Sequence, residues 1–333
     1  VSSPHITMKK STFLKKISGG VLLSVFLLNA LVASALTVSP AREELTADPG
    51  ESITKTFTVI NEQDADQVLY TSVKAFDAQG ESGTPNFIQS NEGLPSWVTI
   101  APSVTLKKGE RVAIPYTVTV PPGAEPGGHF AAIFLSTVPP SAGEGQVSVG
   151  SELGMLVLLR VTGEIKEQGG LVEFGIKGGK KVITNLPIGF FYRFKNDGND
   201  RAKLEGKVTV TNMFGGEVAS IDPNPSQGNV LPGSTRKFEF HLGDNPAPAV
   251  SAPFLEHVKY QKANFAFGMY TADLSLTFGN TGHAQQAITY FMFPWQLLSV
   301  VMVIAVFVIL SLVLVVKQYN KWIIKQARAA AKQ

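Results

Sequence analysis

Histidine is scarce in this chain, with five residues in 333, and His129 is the one set most suggestively. It follows two glycines and opens an apolar run, Gly127–Thr137 (GGHFAAIFLST). On a glycine-rich loop such a residue could act as a general base or a metal ligand; at the head of a β-strand it would do neither. The other interior histidines, His241, His257 and His283, are dispersed, with no H-x-x-x-H or H-E-x-x-H spacing to build a metal site. Asn196–Asp200 (NDGND) offers oxygen ligands but lacks the spacing of a calcium loop, and it reads as a turn. Glu43-Glu44 and Asp64-x-Asp66 are carboxylate pairs, expected to be solvated strand ends rather than an acid and a base. Gly178-Gly179-Lys180-Lys181 lacks the spacing and the Ser/Thr of a phosphate loop, and no G-x-S-x-G elbow occurs. The chain has no cysteine, which excludes disulfides, thiolate catalysis and cysteine–zinc sites. The expectation is a protein without catalytic residues, metal or cofactor.

An internal comparison bears on His129. GHFAAIFL begins at Gly128 and GMYTADLSL at Gly268, and both read glycine, any residue, aromatic, any residue, alanine. Each follows a similar strand, LKKGERVAIPYTV from Leu106 and LPGSTRKFEFHL from Leu231. Met269 stands where His129 would be, so the glycine and the aromatic recur without the histidine. A strand-opening glycine with an inward Phe130 or Tyr270 suffices, and His129 is read as structural or surface.

The positioning elements read as strands almost throughout. Alternation dominates between Leu36 and Phe293. In RVAIPYTVTV, residues Val112, Ile114, Tyr116, Val118 and Val120 share one face. Pro115, lacking an N–H, places that strand at an edge or its proline on an unpaired side. SELGMLVLLRVTGEI, Ser151–Ile165, is apolar but short and reads as a buried strand; KEQGG at 166–170 reads as a junction. Many short strands separated by Pro, Gly, Asn and Asp turns predict β-sandwiches. The fold expectation is all-β: two immunoglobulin-like β-sandwiches, 36–165 and 166–293, followed by a single transmembrane α-helix at 294–316 and a basic cytoplasmic tail at 317–333.

The two ends carry the placement signals. Residues 1–35 read as an upstream extension before Met8 and then a signal peptide: lysines at Lys9–Lys16, an apolar stretch at Val21–Val32, and a small-residue cleavage motif ending at Ala35. Trp295–Val316 is 22 residues without a charge, about 33 Å as a helix against a hydrocarbon core of about 30 Å. Cations after it predict a cytoplasmic tail and an extracytoplasmic ectodomain. Lys317, Lys321, Lys325 and Arg328 form a stripe, with Trp322 on another side. They suit either a helix along the inner leaflet, in contact with the lipid bilayer, or a plain stop-transfer flank. Between the ends, 26 acidic residues meet 20 Lys and Arg, an acidic excess of six. Such a surface is a poor partner for nucleic acid.

The two copies differ in length between Gly109–Gly128 and Gly233–Gly268, and the extra residues fall at Asp244–Phe265. There FLEHVKYQ could form a short helical turn. Phe254, Leu255, Val258 and Tyr260 are candidate partner-docking residues; the competing reading has Phe254 and Leu255 capping the sandwich's own core.

LTVSPAREELTADPGESITKTFTVINEQD resembles the opening of chaperone-like and sperm-protein-like immunoglobulin domains, through Pro40, Pro49-Gly50-Glu51 and Asn61. Trp97, Pro102, Gly109, Pro121 and Gly128 continue the match. The whole layout is similar to bacterial WxL-interacting surface proteins. That resemblance implies a first domain associated with peptidoglycan, a second with surface or host proteins, and no catalytic residues. The functional expectation is a membrane-anchored extracytoplasmic binding or scaffold protein of the bacterial cell envelope, recognising a cell-wall polymer or a surface protein. The alternative is a membrane-tethered chaperone-like module for exported proteins.

Overall fold

The computed structural model describes residues 36–139 and 152–330, without the side chains of residues 326 and 328–330. The signal peptide, its cleavage site at Ala35 and the side chain of Arg328 lie outside the described residues.

The first sandwich runs β1 (Leu36–Ser39), β2 (Arg42–Ala47), β3 (Ser52–Asn61), β4 (Gln67–Gln79), β5 (Thr84–Ile88), α1 (Leu94–Trp97), β6 (Val98–Ile100), β7 (Ser103–Leu106), β8 (Arg111–Thr119), β9 (Gly127–Ser136) and β10 (Glu152–Val161). One sheet has the order β1-β3-β8-β6 and the other β2-β10-β9-β4-β5, with β7 beside β4. The chain crosses between sheets at Ser39-Pro40, a cis peptide, so that β1 pairs with β3 while β2 runs parallel to β10. Alternating residues of both sheets close the core, among them Phe57, Val59, Tyr116, Val118, Ile133, Leu135, Val157 and Leu159. β8 is interior where Val118–Tyr116 faces β6, and Pro115 lies one residue past the end of β6, on a side with no neighbouring strand among the described residues. The missing N–H therefore costs no ladder bond.

The second sandwich runs β11 (Gly169–Ile176), β12 (Val182–Ile183), β13 (Ile188–Asn196), β14 (Ala202–Lys203), β15 (Glu205–Asn212), β16 (Glu217–Ile221), β17 (Asn229–Val230), β18 (Thr235–Leu242), α2 (Phe254–Ala263), β19 (Gly268–Phe278) and β20 (Gly282–Met292). Its sheets are β11-β13-β18 and β12-β20-β19-β15-β16, with a β14-β17 ribbon between. The core is aromatic: Phe190, Tyr192, Phe194, Phe238, Phe240 and Tyr290 pack in it, with Tyr192 stacked on Phe238 at 4.8 Å. β20 leads directly into α3 (Trp295–Ala330), whose apolar side chains between Val301 and Val316 are exposed.

The structure shifts the correspondence between the two copies by one residue. In β9 the core-facing residues are Ala131, Ile133 and Leu135; in β19 they are Ala272, Leu274 and Leu276. The equivalent glycines are therefore Gly127 and Gly268, not Gly128 and Gly268. Both have positive φ, 128° and 105°. A slip of one residue moves every side chain to the opposite face. Phe130 is thus not inward in the sense of Tyr270. It joins Phe76, Phe134, Leu156 and Leu158 on the outer face of the first sandwich, where Leu231 of the second packs against them. Strands β9 and β10 read as apolar without alternation because they are covered on both faces.

Candidate functional sites at the junction and the helix platform

The segment NDGND, read as a simple turn, is the joint between the sandwiches. Asn196, at the end of β13, is buried and donates to the Asp200 and Val230 carbonyls, while its Oδ1 accepts from Gly198 N–H. This fixes a loop whose next residue, Asn199, reaches into the first sandwich. The Asn199 amide donates to the Pro126 and Glu164 carbonyls at 3.0 Å, and its backbone carbonyl accepts from Gly128 N–H at 2.9 Å. Gly127 is glycine because of this approach: a Cβ there would meet the Asn199 carbonyl oxygen at 2.3 Å. The glycines before His129 serve the docking of a neighbouring loop. His129 itself has Nε2 2.9 Å from the Glu125 carbonyl oxygen and its ring 4.7 Å from Trp97.

Charge closes the joint. Arg160 of β10 places Nε 3.1 Å from Asp200 Oδ2, and Arg201 lies 3.4 Å from Glu44, which also accepts from Asn229 Nδ2 at 3.0 Å. Burial alone would raise the Glu44 pKa, but the Asn229 amide and the Arg201 and Arg42 guanidinium groups outweigh it and hold the carboxyl below its usual value. Asp200 and Arg201 are almost fully buried, and with Glu44, Arg160, Glu167 and Lys203 they line a recess of about 300 Å³. A second lock lies at the tip of the β4–β5 hairpin, where Glu81 takes a bidentate pair from Arg193 and its carbonyl accepts from Lys237 N–H at 2.8 Å. In both places opposite charges from the two sandwiches face each other across the junction.

The carboxylate pairs do not form acid–base sites. Glu43 and Glu44 are successive strand residues and point to opposite faces. Asp64 pairs with Lys108 Nζ at 2.8 Å, and Asp66 accepts from Lys108 N–H at 2.9 Å, so both hold one turn. Among the described residues no three His, Asp or Glu side chains converge on a metal-sized space.

The predicted helical turn is the ten-residue α2, which grips the start of α3. Gln261, only 2 % exposed, donates to Gln296 Oε1, Asn185 Oδ1 and the Thr184 carbonyl. Its own Oε1 accepts from Leu297 N–H at 2.9 Å, taking up one of the free donors of the first turn of α3. Of the candidate docking residues, Phe254 packs against Trp295 at 6.1 Å, and Tyr260 donates to the Leu186 and Asn245 carbonyls. Val258 is half-buried, and Leu255 stands 66 % exposed. Phe254 and Leu255 thus do not cap the sandwich core. Gln261 went unread although it continues the Phe254–Val258 stripe at the next helical step.

The tail continues α3 to Ala330, and Lys317, Lys321, Trp322 and Lys325 lie exposed along it. α3 is long and apolar enough to cross a membrane.

No family model matches the chain, and no curated protein matches it. The likeness to WxL-interacting surface proteins therefore has no family match behind it. Solved structures similar to the chain include the class 5 fimbriae chaperone CfaA, with 13 % identity over 78 % of this chain and 100 % of that one, at a TM-score of 0.38. The E. coli chaperone DraB shows 14 % identity over 78 % and 97 %, at 0.32. The CsuC-CsuE chaperone-tip adhesion subunit complex of Acinetobacter baumannii shows 14 % over 78 % and 100 %, at 0.34. These are immunoglobulin-like chaperone folds, and likeness at this level says nothing about partner or activity.

Proposed function

We propose that the chain is a non-enzymatic, membrane-anchored scaffold of a bacterial cell envelope that binds an extended segment of a surface or exported protein. The observation that carries this reading is serial fastening. The first sandwich is locked to the second at Arg160–Asp200 and Glu81–Arg193, and the second is bonded through Gln261 to the base of α3. With α3 as the span and the ectodomain outside, as the cation asymmetry implies, the first sandwich is held at a set height and orientation. On it, among the described residues, β5 pairs with β4 alone and carries Phe87 and Ile88, 43 % and 41 % exposed. Phe87 stands edge-on to Phe134 at 4.8 Å. A free strand edge beside exposed apolar residues suits strand addition by a partner segment.

The test is pull-down with the detergent-solubilised full chain from envelope extracts, glycan and protein fractions kept separate. Capture of a protein, lost in Phe87→Ser/Ile88→Ser, is the expected result. A signal from the glycan fraction alone overturns it in favour of a wall polymer. Enrichment of unfolded exported chains identifies the partner as a folding client.

A further inference from the structure

The strand register gathers an apolar rim where the second sandwich meets α3. Met292, three residues before Trp295, pairs with Gly268, and the β12 residues Val182 and Ile183 pair with Phe291 and Met292. One strand further, Asn212 pairs with Tyr270, so the hairpin after β15 ends at the same level, and the Met213 side chain lies over Gly268. Neighbouring strands are about 4.8 Å apart, which sets the hairpin tip within two strand widths of β20. Around this end Phe214 is 86 % exposed, Leu255 66 %, Phe265 61 %, Val182 55 % and Phe293 40 %. Exposed Lys180 and Lys181 stand beside Val182.

We infer that this rim is a lipid-contacting face, with the second sandwich seated in the headgroup and upper acyl region of the leaflet from which α3 emerges. The inference rests on reading α3 as a membrane span. Chain continuity names the occupant: residues tied by hydrogen bonds to the first turn of a span cannot leave the bilayer surface, and Gln261 supplies that tie. Faces of Phe and Leu side chains bury at the headgroup–acyl boundary of a membrane, and lysines beside them favour anionic headgroups. On a soluble end of a sandwich so many exposed apolar side chains would promote association. Leu255 and Phe254, candidates for docking a partner, belong to this rim.

The absence of cysteine permits single-site labelling of the full chain. Phe214→Cys and Leu255→Cys replace exposed side chains; Ile309→Cys reports the middle of α3, and Lys55→Cys reports the first sandwich. Each variant carries an environment-sensitive thiol fluorophore and is reconstituted in phosphatidylcholine–phosphatidylglycerol vesicles with and without brominated acyl chains. Labels at 214 and 255 are expected to shift to the blue and lose emission to bromolipid, at a shallower depth than 309, while 55 is unaffected. The 214 quenching should weaken in Lys180→Gln/Lys181→Gln or without phosphatidylglycerol; equal quenching in all these cases removes the lysines from the inference. If 309 is quenched but 214 and 255 behave like 55, the span stands and the seating is wrong, leaving the rim for a protein partner. If 309 is not quenched either, the span reading fails and the inference falls with it.

Discussion

Asn61 and Asn196 occupy the same place in the two sandwiches. Asn61 ends β3, and its backbone exchanges hydrogen bonds with Glu110 and Gly109; Asn196 ends β13 and does the same with Ser234 and Gly233. The Asn61 side chain donates to the Ala65 and Lys107 carbonyls, and that of Asn196 to the Asp200 and Val230 carbonyls. In each sandwich one buried amide ties a strand end to two loops. Replacing either by alanine leaves buried carbonyls without a donor, at about 1–3 kcal/mol. Chemical denaturation of the full chain should show Asn61→Ala lowering the first sandwich's transition. Asn196→Ala should lower the second's and also loosen the junction. Equal effects of both variants on both transitions would contradict this division.

Acid should open the junction through Glu44. Its folded pKa is held below the ordinary value, so its contribution is present above the unfolded pKa and is lost as pH falls through the folded one. Limited proteolysis at linker residues 162–168 should therefore accelerate below about pH 4. Glu44→Gln should cleave faster at neutral pH and lose most of that acid dependence. An unchanged acid profile in Glu44→Gln would move the effect to another carboxylate.

Gly127→Ala should separate the sandwiches while leaving each folded. The added methyl meets the Asn199 carbonyl, and the φ of 128° is strained for any side chain. Gly109→Ala has a φ of 71° but nothing within 4 Å of the new methyl. It should therefore cost only the backbone strain, about 1–2 kcal/mol, within the first sandwich. Small-angle scattering distinguishes the two: an increased radius of gyration is expected for Gly127→Ala alone.

Tyr116 and Tyr192 have buried hydroxyls without a hydrogen-bond partner among the described residues. Burial, assisted by Glu43, pushes the Tyr116 pKa up to about 12, and burial raises that of Tyr192 as well. Tyr116→Phe and Tyr192→Phe remove an unpaired polar atom and keep the ring. Each should be neutral or stabilising by up to about 1 kcal/mol in denaturant titration. A clear loss of stability in either variant would show that its hydroxyl has a partner, such as bound water.

Strand existence was legible because half-covered strands alternate, as Val112 to Val120 does. What lay beyond reading was which second surface covers a strand that does not alternate. Ala131–Leu135 is buried on both sides, so its pattern carries no phase, and the repeat was aligned one residue out. NDGND shows the same limit. Its composition is that of any turn, and its meaning depends on Gly127, some 70 residues earlier, having no side chain. The position of α2 was visible as an insertion; its role turned on Gln261, a polar residue on an apolar stripe. Of the four candidate docking residues, Phe254 and Tyr260 also make contacts within the chain, with segments too distant in sequence for spacing to reveal.

The second sandwich also has a mechanical orientation. Its chain enters at Gly169, level with Asn196 beside the first sandwich, and leaves at Met292, where α3 begins at the opposite end. A pull between the first sandwich and the start of α3 therefore acts lengthwise along β11 and β20. Their ladder bonds, which run across the strands, are loaded together in shear instead of being opened one after another from an end. The geometry is that of a lap joint, with the load shared along the overlap between the two ends of the sandwich instead of falling on one bond at a time.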